Sequence, residues 1–233
     1  MSKFKLTVNG QLFVAAALTV ATLAGKDIPY YMDGVLVVPT RHGVYLVGST
    51  GAAITVAEDT SAQVEGGSLP PEGVLIKVPK VFFAAMKTSP HVEFDLPADL
   101  GKGGDGVVRA NGKKAVFEVI DAAYPNWRSV IARAGEDTMP HTRRSTADGT
   151  PPLSLALSMH SLEPILAIAK LVKRHGFETQ IVSFGADTPL PGPTILVRYK
   201  GRDDLLTLLV QATRRDEDGD DTWINRVPFS TVA

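Results

Sequence analysis

The sequence predicts an α+β protein built from repeated β-α-β-β-β units, with curved antiparallel sheets outside and the helices on one face. Three observations carry this. An alternating strand, a helical stretch and three further strand signals recur in that order three times along the 233 residues, and such recurrence marks a repeat architecture. The breaks between strand signals are short and carry hairpin chemistry, above all Asn111-Gly112, a dipeptide that accepts positive φ at both turn positions. Each unit is also amphipathic, so its helix has one face to bury against a sheet.

The first unit opens with an alternating strand, Phe4 to Val8, and a turn at Asn9-Gly10. An Ala- and Leu-rich helix over Gln11–Ala24 follows, closed by Gly25 as a C-terminal cap. Strands are expected at Tyr30–Pro39, Gly43–Gly48 and Ala53–Glu58, divided by turns at Arg41-His42-Gly43 and Ser49-Thr50-Gly51. The second unit places a strand at Val74–Val78, a short helix from Pro79 to about Thr88, and strands at His91–Leu96, Gly106–Ala110 and Ala115–Ile120. The third begins with a strand at Leu153–Met159. Ser161 then caps a helix running to His175, with Pro164 in its first turn, and strands follow at Phe177–Phe184, Thr194–Tyr199 and Leu205–Gln211. The expected divisions are a two-unit domain over 1–131, a linker over 132–152 without apolar periodicity, a third unit over 153–214, and an acidic tail over 215–233.

Composition narrows the chemistry. Hydrophobic residues make up 44 % of the chain, enough for a core, and the net charge of −1 gives no global basic field. With no cysteine there is no disulfide scaffold, thiolate nucleophile or Cys-ligated metal, which suits a cytoplasmic protein. The five histidines show no metal-ligand spacing, and no nucleophile elbow or phosphate-binding loop occurs. Gly101–Gly106 matches a dinucleotide fingerprint in letters, but a strand follows where that motif needs a helix. Asp216–Asp221 lacks the central Gly and final Glu of a calcium loop. No enzyme, cofactor or metal is expected. Leu12–Ala24 behind Lys3 and Lys5 has the look of a secretory signal, which would make this an exported β-rich protein. The run is too short to span a bilayer, and the turn that separates it from the lysines favours a buried helix.

Several stretches resemble the bacterial DNA sliding clamp family, the beta subunit of DNA polymerase III. Tyr31-Met32-Asp33-Gly34-Val35-Leu36 is similar to its "LNGV" strand, and Val44 to Gly51 to its "LVATDG" strand and turn. Lys77-Val78-Pro79-Lys80 resembles "VPRK", and Val119 to Ile131 resembles the "LIDGRFPDYRRVIP" linker. The likeness runs over roughly residues 3–214. It implies the DNA-clamp fold and a homo-oligomeric ring around double-stranded DNA that tethers a replicative polymerase or clamp loader. A clamp-like regulatory or decoy protein that does not encircle DNA is the second reading. The chain departs from the pattern in showing three units where a clamp chain carries six. It also lacks the charged residues after the "TDG" turn and the usual C-terminal ending.

On the third helix Lys170, Lys173 and Arg174 share one face, opposite the apolar stripe Leu162, Ile165, Ala169 and Val172. With the resemblance, this basic strip becomes the expected DNA-facing surface, and Lys80 and Lys87 repeat it more weakly on the second helix. The first helix has no basic residue, so it is expected to pack against something else, such as a neighbouring subunit. Ser49, Gly51, Ile54 and Ile131 match positions that help form the family's partner-peptide pocket. The unpaired third unit is expected to complete itself against another copy, because bare sheet edges invite pairing.

Overall fold

The computed structural model describes residues 4–21, 32–51, 53–128, 159–173, 178–185, 194–200 and 202–210. The elements, in chain order, are β1 (Lys5–Val8), α1 (Gly10–Ala21), β2 (Val35–Pro39), β3 (Val44–Ser49), β4 (Ala53–Asp59), β5 (Gln63–Glu65) and β6 (Val74–Lys77). A single 3₁₀ turn (Lys80–Phe82) then leads into the short α2 (Phe83–Met86). They are followed by β7 (Val92–Asp95), β8 (Gly104–Ala110), β9 (Lys113–Ile120), α3 (Met159–Lys173), β10 (Glu178–Gly185), β11 (Thr194–Lys200) and β12 (Arg202–Val210). The described strands join one antiparallel sheet in the order β10-β11-β12-β4-β3-β2-β6-β9-β8-β7-β1-β5.

The first strand of each complete unit pairs with the strand that follows the helix of the other unit. β1 lies beside β7, with Leu6 opposite Phe94, and β6 lies beside β2, with Ile76 opposite Val35. The two units therefore exchange their opening strands about a pseudo-two-fold axis. β6 also pairs with β9, joining the two four-stranded sets. At the far end β5, only three residues beyond β4, pairs with β1, so the nine strands curl back on themselves. The backbone N–H of Asn9 donates to the Asp59 carboxylate at 2.6 Å and fastens the start of α1 to the end of β4.

Alternating residues from these strands point inward around α1 and α2. Leu6, Val37, Leu46, Ile76, Phe94 and Phe117 share one core with Phe13 and Met86. Gly48 lets α1 lie directly on β3: a Cβ there would sit 2.0 Å from the Ala16 carbonyl oxygen. The Asn111-Gly112 hairpin is as expected, with φ of 47° and 70° and Ala110 opposite Lys113.

The three helices touch through α1, which packs on both α2 and α3, so they share one side of the sheet as the sequence implied. Some expectations change. Met159 is already helical, so it does not end a strand, and Ser161 lies inside α3 rather than at its cap. Pro164 thereby falls in the second turn, where its missing N–H removes a helix hydrogen bond. Strand β5 had no legible pattern, since its three residues are all exposed.

The largest change concerns α1. It is not a surface for a neighbouring subunit, because α3 of the same chain covers it and β12 pairs with β4, Leu206 opposite Val56. An apolar β4 edge and an uncharged helix make a self-consistent dock for the third unit in cis.

Candidate DNA-facing helices and partner pocket

On α3 the buried side is Ile165, Ile168, Leu171 and Val172, packed into the main core. Ala169 is only half-buried and Ile168 is the better-buried member, so the apolar stripe is rotated slightly from the expected one. Lys170 is exposed on the opposite side, in line with Glu163 and Leu166, while the side chain of Lys173 lies outside the description. The described part of this face is thus mixed in character rather than uniformly basic. Arg174 and Leu162 lie outside what the structure describes of this helix.

Lys80 sits where the chain leaves β6, and its ammonium group donates to the Ala21 carbonyl at 2.8 Å. That carbonyl belongs to the last described residue of α1, and a cation near the C-terminal part of a helix opposes the negative end of its dipole. Lys80 therefore has a local structural task that its sequence position did not advertise. Lys87 caps α2 and is half-buried.

Three of the four pocket residues come together at the β3–β4 hairpin. Ser49 is opposite Ile54 in the ladder, and the Ser49 Oγ accepts the Gly51 N–H at 3.1 Å. Gly51 has φ of 81°, a value the turn reserves for glycine. Ile131 lies outside the described residues. Ser49 and Ile54 are buried, Ile54 within a second apolar cluster formed by Leu36, Val38, Val47, Val56, Leu75 and Trp127 on the outer face of the sheet.

The segment after β9 crosses this outer face. Tyr124 packs on the cluster, and burial pushes its hydroxyl well above the usual tyrosine range. Trp127 meets Tyr45 edge-on at 5.8 Å, and the Arg128 guanidinium lies 4.7 Å from its ring centre. Ile54 is thus covered by the chain's own Tyr124 and Trp127 cluster. An open cleft of about 370 Å³ lies instead on the other flank of this segment, with Leu36, Leu75 and Trp127 on its apolar side and Glu72 and Arg128 among its polar groups. Tyr45 could have been picked out from the sequence, since it alternates with the inward Val44 and Leu46 on β3.

A buried polar chain ties the third unit to the first. Thr19 on α1 meets Thr55 on β4 at 2.6 Å, Thr55 meets Thr207 on β12 at 2.9 Å, and Thr207 meets the Tyr199 hydroxyl at 3.0 Å. Nearby, Arg202 grips Asp204 and also donates to Gln11 Oε1 at 2.8 Å. Among the described residues no group of three or more His, Asp or Glu side chains is placed to hold a metal. The loop over Leu100–Lys102 leads into strand β8, as its sequence context required.

Against solved structures, the sliding clamp (DNA polymerase III subunit beta) from Bartonella birtlesii superposes with a TM-score of 0.56 at 12 % identity. That match covers 91 % of this chain and 66 % of the other. The DNA polymerase III beta subunit from Thermotoga maritima gives 0.53 at 13 %, covering 92 % and 66 %.

The fold is that of a DNA sliding clamp.

The sliding clamp from Bacillus subtilis gives 0.50 at 12 % identity, with 92 % and 67 % covered. No protein-family model matches the sequence, and no curated protein matches it significantly. The chain spans about two thirds of the length of these clamps. No described helix is long and apolar enough to cross a membrane. Residues 12–21 of the apolar run that resembled a signal lie in α1, at the centre of the core.

Proposed function

We propose that this protein is a non-enzymatic processivity factor of the cytoplasm, which encloses double-stranded DNA as a homo-oligomer and tethers a replicative polymerase or clamp loader. The observation that carries the reading is the fold itself: repeated units in one continuous sheet, all helices on one side, matching sliding clamps over nine-tenths of the chain. A wall of this kind holds DNA by enclosure, so a few weak phosphate contacts suffice and sliding is preserved. The contacts proposed are Lys170, Lys173 and Arg174, with Lys80 and Lys87 beside them. The tethering surface is the outer face around Ser49, Gly51, Ile54 and Ile131 and the cleft beside Trp127. In this reading residues 1–131 are a two-unit domain, 132–152 a linker, 153–214 a half-domain and 215–233 a solvated tail.

Retention on DNA circles tests the proposal. The protein should stay on closed circular duplex through gel filtration and be released when the circle is cut. Lys170→Glu, Lys173→Glu and Arg174→Glu together should abolish retention, whereas Asp216→Lys, Glu217→Lys and Asp218→Lys should not. Equal retention on circles and cut DNA would overturn enclosure. Polymerase binding without any DNA retention would favour the regulatory or decoy reading.

A further inference from the structure

Two Asn-Gly dipeptides occur in the chain, Asn9-Gly10 and Asn111-Gly112, and both lie against the end of α2. A glycine after asparagine leaves the side-chain amide carbon open to the next backbone nitrogen, since no side chain screens it. The Gly N–H gives its proton to hydroxide, the nitrogen bonds to the Asn Cγ, and the Cγ–Nδ2 bond breaks as the amide nitrogen takes a proton from water and leaves as ammonia. Water then opens the cyclic imide at either carbonyl, which yields aspartate or isoaspartate and one added negative charge. The structure separates the two sites. Asn9 caps α1: its Oδ1 accepts the N–H groups of Gln11 at 3.0 Å and Leu12 at 3.2 Å, and its carbonyl accepts that of Phe13 at 3.0 Å. Gly10 is buried, and a Cβ there would lie 2.1 Å from the Met86 carbonyl oxygen. Freeing this dipeptide means unseating α1 from the core. Asn111 and Gly112 are instead exposed at a hairpin tip.

The Asn111 amide donates to the Ala85 carbonyl at 3.0 Å and to the Thr88 hydroxyl at 2.6 Å, which uses both of its N–H groups. Ala85 is in the last turn of α2, where carbonyls lack an intrahelical donor. We infer that the Asn111 carboxamide latches the β8–β9 hairpin to the end of α2 and is the site at which the folded protein deamidates, the latch setting the rate. While the amide is held, its carbon is not free to turn to the Gly112 nitrogen. Opening an exposed turn costs far less than unseating a core helix, so Asn111 reacts and Asn9 is kept. The conversion runs one way. An aspartate has no N–H for the Ala85 carbonyl, and the two sets of oxygens repel. Isoaspartate also lengthens the backbone between Ala110 and Lys113, which face each other across the ladder. The product is an α2 without its latch and with a new negative charge beside Thr88. This inference rests on the turn alone and stands whether or not the chain encloses DNA.

The test incubates the folded, full-length protein at mildly alkaline pH and maps aspartate and isoaspartate in its peptides by mass spectrometry. Product should accumulate at Asn111 and stay undetected at Asn9, whereas in urea both dipeptides should convert at similar rates. Thr88→Val, at an exposed position, removes one acceptor of the latch and should speed conversion at Asn111 severalfold. Asn111→Asp reproduces one product, and hydrogen exchange of the α2 amides should quicken severalfold in it, with β3 and β4 unchanged. Conversion of Asn9 at the pace of Asn111 in the folded chain overturns the inference. So does a folded chain inert at Asn111 over the time in which the urea sample converts. An unchanged rate in Thr88→Val, or unchanged α2 exchange in Asn111→Asp, overturns the latch.

Discussion

Thr207 is a small residue with a large structural burden. Its hydroxyl stands between Thr55 and Tyr199 in fully buried surroundings, and a valine of the same shape would leave both neighbours short of a partner. Thr207→Val should lower unfolding stability by about 1–3 kcal/mol, read from urea midpoints at constant slope. Tyr199, like Tyr124, has its hydroxyl pKa raised by burial. The unfolded chain ionises near pH 10, about the ordinary tyrosine value, while the folded one stays protonated beyond it. Stability is therefore unaffected by these groups below about pH 10 and falls as pH rises from there. Tyrosinate absorbance should appear together with loss of circular dichroism, and Tyr199→Phe should reduce the pH slope. Gly48→Ala would drive a methyl carbon into the Ala16 carbonyl, and thermal melting should show a loss of several degrees or failure to fold. None of these residues was legible beforehand: a threonine inside a strand has no pattern that tells a buried relay from a surface position.

At the scale of elements the sequence was far more informative. The described strands other than β5, the Asn111-Gly112 turn and the three helices were readable because side-chain periodicity and turn chemistry are local, while the expected strand over Leu153–Met159 falls, up to Met159, outside the described residues. Strand β5 and the start of α3 were not, the first for want of any apolar alternation and the second because Ser161 resembles a cap. The bond from Lys80 to the Ala21 carbonyl was not legible either, since such backbone acceptors are invisible in sequence. The docking of β12 on β4 is non-local and equally invisible. It changes what truncation should do. Removing residues 150–233 would strip α3 and β12 from α1 and β4, leaving an apolar helix face and an open edge. The truncated chain should self-associate or precipitate in light scattering, whereas a well-behaved monomer would show that the third unit contributes little to the core.

Over the whole molecule, the link between Thr55 and Thr207 spans 152 residues of chain. At a synthesis rate of about 5–20 residues per second, roughly eight to thirty seconds separate the emergence of β4 from that of β12. During that interval the nascent first two units wait with an unfilled edge and an uncovered Ala-rich helix. A ribosome-bound chain halted near residue 150 should therefore recruit holding chaperones, and one extended past residue 210 with a spacer should release them. Translation of the third unit, on this account, closes an adhesive intermediate.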